Sequence, residues 1–205
     1  MNPNDATTQP DEAVHLFVDL SNLFYGARAE SERRGDPAWA VRLHAGNLHR
    51  VLAAGRRVAN ARLVANREIP APVLAHFRHW FEVELVEAGR VTGSEQAGDE
   101  LLQNAMYRTL LSGARGTIVL ATGDGAGWRE GRGFCPALEA AQRLGLAVEV
   151  VAFGASLNEH LRALAAGTGV VVVLDRWYGA VTFLEGLRAA THASVVHRPF
   201  ARAAA

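Results

Sequence analysis

Two apolar runs in this chain each end on an aspartate. Val14-His15-Leu16-Phe17-Val18 leads into Asp19, and Asn22 follows three residues later. Thr117-Ile118-Val119-Leu120-Ala121 leads through Thr122 and Gly123 to Asp124. Between the two, Asp99-Glu100 opens a helical pattern. Carboxylates gathered at one place repel one another, because each raises the cost of ionising its neighbour. A divalent cation removes that repulsion. The chemistry these residues suggest is therefore metal-dependent, with oxygen ligands that suit Mg²⁺ or Mn²⁺.

The elements that must position these residues can be read from the apolar patterning. Val14 to Leu20 is short, apolar and rich in β-formers, as a buried strand should be. A helical pattern runs from Pro37 to Ala54, with Pro37 acceptable in a first turn. Val58 to Ala65 reads as a strand, and Pro70 and Pro72 mark a helix start. Glu82 to Glu87 alternates like a more exposed strand, and Gly98 to Ser112 has helical spacing. Gly116 to Ala121 is the clearest central strand. A glycine-rich loop follows from Gly123 to Gly133, then a helix from Pro136 to Leu144 ending at Gly145. Leu146 to Phe153 is a strand, Ser156 with Glu159 suggests a capped helix through Ala165, and Val170 to Leu174 is the last strand. Alternating strands and helices predict an α/β fold with a mainly parallel sheet. Right-handed crossovers put helices on both faces, giving three layers. In such a sheet, ligands bind beyond the carboxyl ends of the strands, where Asp19 and Asp124 fall.

Composition narrows the function classes. The chain has 205 residues, enough for one domain with a full core, and a formal net charge of zero. All 21 of its Lys-plus-Arg residues are arginine. Without lysine, a Walker-type phosphate loop and a Schiff-base enzyme are excluded. Arginine remains well suited to phosphate contacts. Cys135 is the only cysteine, which excludes an intramolecular disulfide and a cysteine-rich zinc site. Residues 1–12 read as a polar, disordered lead rather than a signal peptide, 13–186 as the domain, and 187–205 as an Ala- and Arg-rich tail. No apolar stretch reaches membrane-spanning length, and the cytoplasm is the expected compartment.

Phe17-Val18-Asp19-Leu20-Ser21-Asn22-Leu23 resembles the opening of NYN domains, a group of PIN-like nucleases. Asp99-Glu100-Leu101-Leu102 is similar to that family's second acidic motif. Thr122-Gly123-Asp124-Gly125, with Glu130-Gly131-Arg132 and Phe134-Cys135-Pro136, is similar to its third. Gly145 to Val150 and Ser156-Leu157-Asn158 continue the likeness, which spans roughly residues 14 to 176. The resemblance implies a PIN-like fold and a metal-dependent ribonuclease. It implies that Asp19, Asp99 and Asp124 hold Mg²⁺ or Mn²⁺ directly or through water, and that Asn22 orients a water or a phosphate oxygen. Many family members carry a second acid two positions after the Gly-Asp pair. That position is Ala126 here, and Glu130 is the residue that could supply the charge from the loop.

Plainer readings stand beside these. Asp19 could cap the next helix, Asn22 could be a turn residue, and Asp99 could be a helix-start acid. Asp124 could serve a turn alone. Arg28, Arg129 and Arg132 are candidate phosphate contacts for RNA, and Trp128 a candidate base-stacking residue or a side chain folded back on the domain. Phe24 and Tyr25 are expected to pack, Arg56 and Arg57 to decorate a turn, and His76 and His79 to be ordinary partly exposed histidines. Ser21 stands where a dehalogenase-type phosphatase needs a second aspartate, and no Gly-x-Ser-x-Gly elbow is present. A dinucleotide site is disfavoured by Asp124 itself. The rival to a ribonuclease is a catalytically weak or inactive PIN-like domain that binds RNA or a protein partner. A homodimer through a helix face is compatible with either.

Overall fold

Strand β1 (Val14–Asp19) lies at the centre of a sheet built around two buried faces. The computed structural model describes residues 13–87, 94–125, 133–191 and 200. The side chains of β1 alternate, as a pleated strand requires. Val14, Leu16 and Val18 point into one apolar cluster, while Phe17 points into the other. Each fully buried Leu or Phe in such a cluster contributes about 1.5–3 kcal/mol from apolar burial.

Helices cover both faces. The first cluster is closed by α1 (Leu20–Arg34), α2 (Ala45–Ala53), α3 (Ala71–Arg78) and the short α7 (Tyr178–Val181). The second is closed by α4 (Ser94–Leu111), α5 (Phe134–Arg143) and α6 (Glu159–Thr168). Between them lie β1, β3 (Val58–Asn66), β4 (Glu82–Val86), β5 (Thr117–Ala121), β6 (Ala147–Ala152) and β7 (Val170–Val173). They run β4-β3-β1-β5-β6-β7 across the sheet, and every pairing in it is parallel. The fold is the three-layer α/β/α arrangement that the alternation of elements predicts, consistent with the PIN-like fold that the resemblance implies.

The strand order decides where a ligand can sit. The chain winds outward from β1 through β3 to β4, then returns to the other side of β1 to start β5. The crevice between the carboxyl ends of β1 and β5 is therefore the topological switch point, where open α/β sheets bind their ligands.

Three local expectations are corrected. The helix expected from Pro37 is a turn followed by β2 (Val41–Leu43), and α2 starts only at Ala45. Strand β2 pairs antiparallel with β8 (Thr182–Leu184) in a small second sheet. Ser156 lies in a single 3₁₀ turn, and Asn158 is the cap of α6, accepting the His160 N–H at 2.8 Å. Arg56 does not decorate a turn. Its guanidinium is buried and makes two bonds, of 2.7 and 3.0 Å, to the fully buried Glu149 carboxylate. The two bonds match the fork of one group to the oxygens of the other. Beyond Gly186, Arg188 donates to the Gly179 carbonyl, and the Thr191 N–H donates to the same oxygen. Among the described residues no helix is long and apolar enough to cross a membrane.

Candidate active site

Asp19 is the last residue of β1 and the N-cap of α1, in extended conformation. One carboxylate oxygen accepts the Asn22 N–H at 3.0 Å. The other accepts the hydroxyl of Thr122, which follows β5, at 3.3 Å. Thr122 Oγ1 in turn accepts the Asp124 N–H at 3.2 Å. The Asn22 side-chain oxygen accepts the Gly123 N–H at 2.7 Å. These bonds join the start of α1 to the loop after β5 and draw Asp19 and Asp124 towards each other.

Two glycines make that approach possible. A Cβ on Gly123 would stand 2.1 Å from the Ser156 carbonyl oxygen, and one on Gly125 would stand 2.5 Å from the Asn158 side chain. The Asn158 N–H donates to the Gly123 carbonyl at 2.9 Å. The loop after β6 is therefore pressed against the loop after β5, and any side chain there would separate them.

The electrostatics follow from this packing. Burial pushes the Asp19 carboxyl above the usual carboxylate range, and the nearby charge of Asp124 pushes it the same way. The Asn22 and Ser21 N–H groups and the Thr122 hydroxyl pull in the opposite direction without cancelling the rise. A partly buried carboxylate beside a second carboxylate favours a bound cation or a proton.

The expected site residues separate clearly. Asp19, Asn22 and Asp124 come together at the switch point. Asp19 performs the capping role of the plainer reading, and it does so at the switch point. Asn22 is a positioning residue through its oxygen, which leaves its amide nitrogen as the group that could face a substrate. Asp99 is half-buried in the second turn of α4. Its neighbour Gly98 lies against Val64, the register partner of Asp19. Asp99 thus sits at the same end of the sheet, on the β3 side. Among the described residues, no group of three or more His, Cys, Asp or Glu side chains is arranged to hold a metal. Arg28 is exposed on α1. Ala126, Trp128, Arg129, Glu130 and Arg132 lie outside the described residues. Sequence reasoning missed the roles of Thr122 and Asn158. The only signal for Thr122 was a hydroxyl placed directly before Gly-Asp at a strand end.

The donor set is all oxygen: the carboxylates of Asp19 and Asp124, with the Thr122 hydroxyl beside them. That set fits a hard divalent cation such as Mg²⁺, which needs only one or two carboxylates and keeps several waters.

The NYN domain family model matches residues 13–170, most of the chain. The chain belongs to the NYN domain family, a PIN-like nuclease group. The fold is also similar to the crystal structure of a protein of unknown function from Vibrio parahaemolyticus RIMD 2210633. That likeness has a TM-score of 0.57 at 19% identity, covering 82% of this chain and 95% of the other. No curated protein matches the sequence.

Proposed function

We propose that the protein is a metal-dependent ribonuclease that hydrolyses RNA phosphodiester bonds at the Asp19–Asp124 crevice. The observation that carries this reading is the convergence of two carboxylates, one of them partly buried and raised in pKa, at the switch point of a NYN domain. Asp19 and Asp124 would hold Mg²⁺ or Mn²⁺, with Asp99 contributing directly or through water. The bound ion would supply an activated water and offset charge on the phosphodiester. Thr122 fixes one oxygen of Asp19, and the helix cap fixes the other, so the carboxylate is oriented before substrate arrives. Asn22 holds the loop of Asp124 through Gly123 and presents its amide nitrogen as a donor to a phosphate oxygen.

One observation favours a second reading. Both Asp19 oxygens already have protein partners, so its carboxylate also has a purely structural use. A PIN-like domain that binds RNA or a protein partner without cutting would need no more than that. Incubating labelled single-stranded and structured RNA with the protein in Mn²⁺, Mg²⁺ or EDTA separates the two. Metal-dependent cleavage that disappears in an Asp19→Asn, Asp124→Asn double variant supports the ribonuclease. Intact RNA under every condition, with folded wild-type protein, rejects it in favour of a binding domain.

A further inference from the structure

The main sheet has two edges, and they differ in chemistry. One edge is β4 and the other is β7. β4 reads Glu-Val-Glu-Leu-Val, and Arg62 of β3 reaches its Glu82 and Glu84. Arg67 and Glu87 pair at 3.2 Å just beyond its end. Charges along an edge strand protect it from pairing with another chain. β7 has no such charges. It is four consecutive valines, with no proline and no shift in its register with β6. Among the described residues, no strand pairs with its outer side.

The valines alternate as the pleat requires. Val170 and Val172 belong with the first apolar cluster, Val171 and Val173 with the second. Val170, Val171 and Val173 stay partly exposed, and so do Leu164 of α6 and Trp177 just past the strand. An apolar margin therefore surrounds a row of backbone N–H and C=O groups. The partner that completes such a row is another strand.

The charges around β7 point to which strand that is. Asp175 is turned back on its own chain, where it accepts the Gly154 N–H at 2.9 Å. Arg176 is exposed. At the other end of the strand, α6 finishes without a basic residue in its last turn. Helices α1 to α5 each have one there. A helix C-terminus carries partial negative charge that a cation stabilises. A two-fold axis perpendicular to the sheet runs two copies of β7 antiparallel. It brings the Arg176 end of each strand to the α6 end of the other. Residues that face each other across this axis share a side of the sheet. Val171 therefore faces Val171 or Val173 of the second copy.

We infer that β7 is a dimerisation edge whose partner is β7 of a second copy of this chain, with Arg176 of each copy at the C-terminal end of the other's α6. The two sheets then become one, and their acidic crevices lie at its opposite ends. The inference does not depend on the ribonuclease reading. Zero formal net charge leaves no long-range repulsion between the copies. A four-residue strand offers few backbone bonds, and shortness itself blunts an edge. The dimer is therefore a concentration-dependent equilibrium and not a permanent assembly.

Sedimentation velocity of the full chain, from about 1 µM to about 1 mM, tests this. A monomer–dimer equilibrium is expected. Hydrogen exchange at the high concentration should protect amides within Val170–Val173 relative to the low one, and leave β4 unchanged. Arg176→Glu should raise the dimer Kd about tenfold, because two symmetry-related contacts turn from attraction to repulsion. Val171→Lys should abolish the dimer. Melts in dilute solution show whether each variant folds. The Arg176 side chain is exposed, so Arg176→Glu carries the test even where Val171→Lys does not fold. A monomer at every concentration overturns the inference. So does a dimer whose protection falls outside β7, or whose Kd is unchanged in Arg176→Glu. A dimer lost in Tyr25→Ala overturns it as well, by placing the contact on α1, where that ring, expected to pack, is 63% exposed.

Discussion

Asp19 carries two demands that pull against each other. As a helix cap it stabilises α1, and a lost cap costs about 1 kcal/mol. As a partly buried carboxylate beside Asp124 it resists ionisation. Asn at position 19 keeps the accepting oxygen and removes the charge. The folded-state pKa is raised, so Asp19's contribution to stability is fully present below the ordinary carboxylate range. It is lost as pH rises through the raised value. The metal-free wild type should therefore fall behind Asp19→Asn as pH rises towards 7, while the two converge or reverse in acid. Urea titrations of both proteins in EDTA, at several pH values, check this. A difference between the two proteins that does not change with pH would mean that the charge of Asp19 plays no part and that it acts as a cap and nothing more.

The elements owe their positions to contacts that differ greatly in sequence separation, and this decides which were legible. Asp19 and Asp124 could be found because each closes an apolar run long enough to be read as a buried strand. Helix α1 was anticipated only as a helix that Asp19 could cap, with no extent. Its core-facing side mixes Leu20, Leu23 and Ala27 with Gly26, Glu30 and Ser31, so no broad apolar stripe marks it. Glu30 is buried only because Arg33 and Arg34 bind it. Strand β2 is three residues long, too short for period 2 to be told from period 3.6, and its partner β8 lies far along the chain. The Arg56–Glu149 pair joins residues 93 positions apart and leaves no local pattern. Its energetic consequence is large. Removing Arg56 would take the two-bond guanidinium away from a fully buried carboxylate in the sheet, and Arg56→Ala should cost about 3–5 kcal/mol. Replacing both partners with apolar residues, as in Arg56→Met with Glu149→Leu, should recover most of that loss. Chemical denaturation of the single and double variants measures the difference. Equal losses in both would show that packing, and not charge pairing, holds this part of the sheet.

At the scale of the whole molecule, the sheet gathers its acids at one end and its buried ion pair towards the other. β1 and β5 carry Asp19 and Asp124 beyond their carboxyl ends, while Arg56 enters from the turn before β3. Stability and chemistry are thus separated along the strands, so the acidic end can carry an unfavourable charge arrangement that the rest of the fold supports. A cation that binds this end only in the folded protein must stabilise the entire domain by mass action. At one hundred times its Kd the gain is about 2.7 kcal/mol. For a domain of this size each kcal/mol raises Tm by about 2–4 °C, so saturating Mn²⁺ should lift the midpoint by about 5–11 °C over EDTA. The Asp19→Asn, Asp124→Asn variant should show no such rise, although its melt in EDTA should lie at or above that of wild type, because the Asp19 charge that resists burial is gone. Calorimetric melts of the two proteins with and without Mn²⁺ give all four values. An equal rise in both proteins would put the cation elsewhere on the molecule, and the acidic crevice would then need another explanation for holding two carboxylates together.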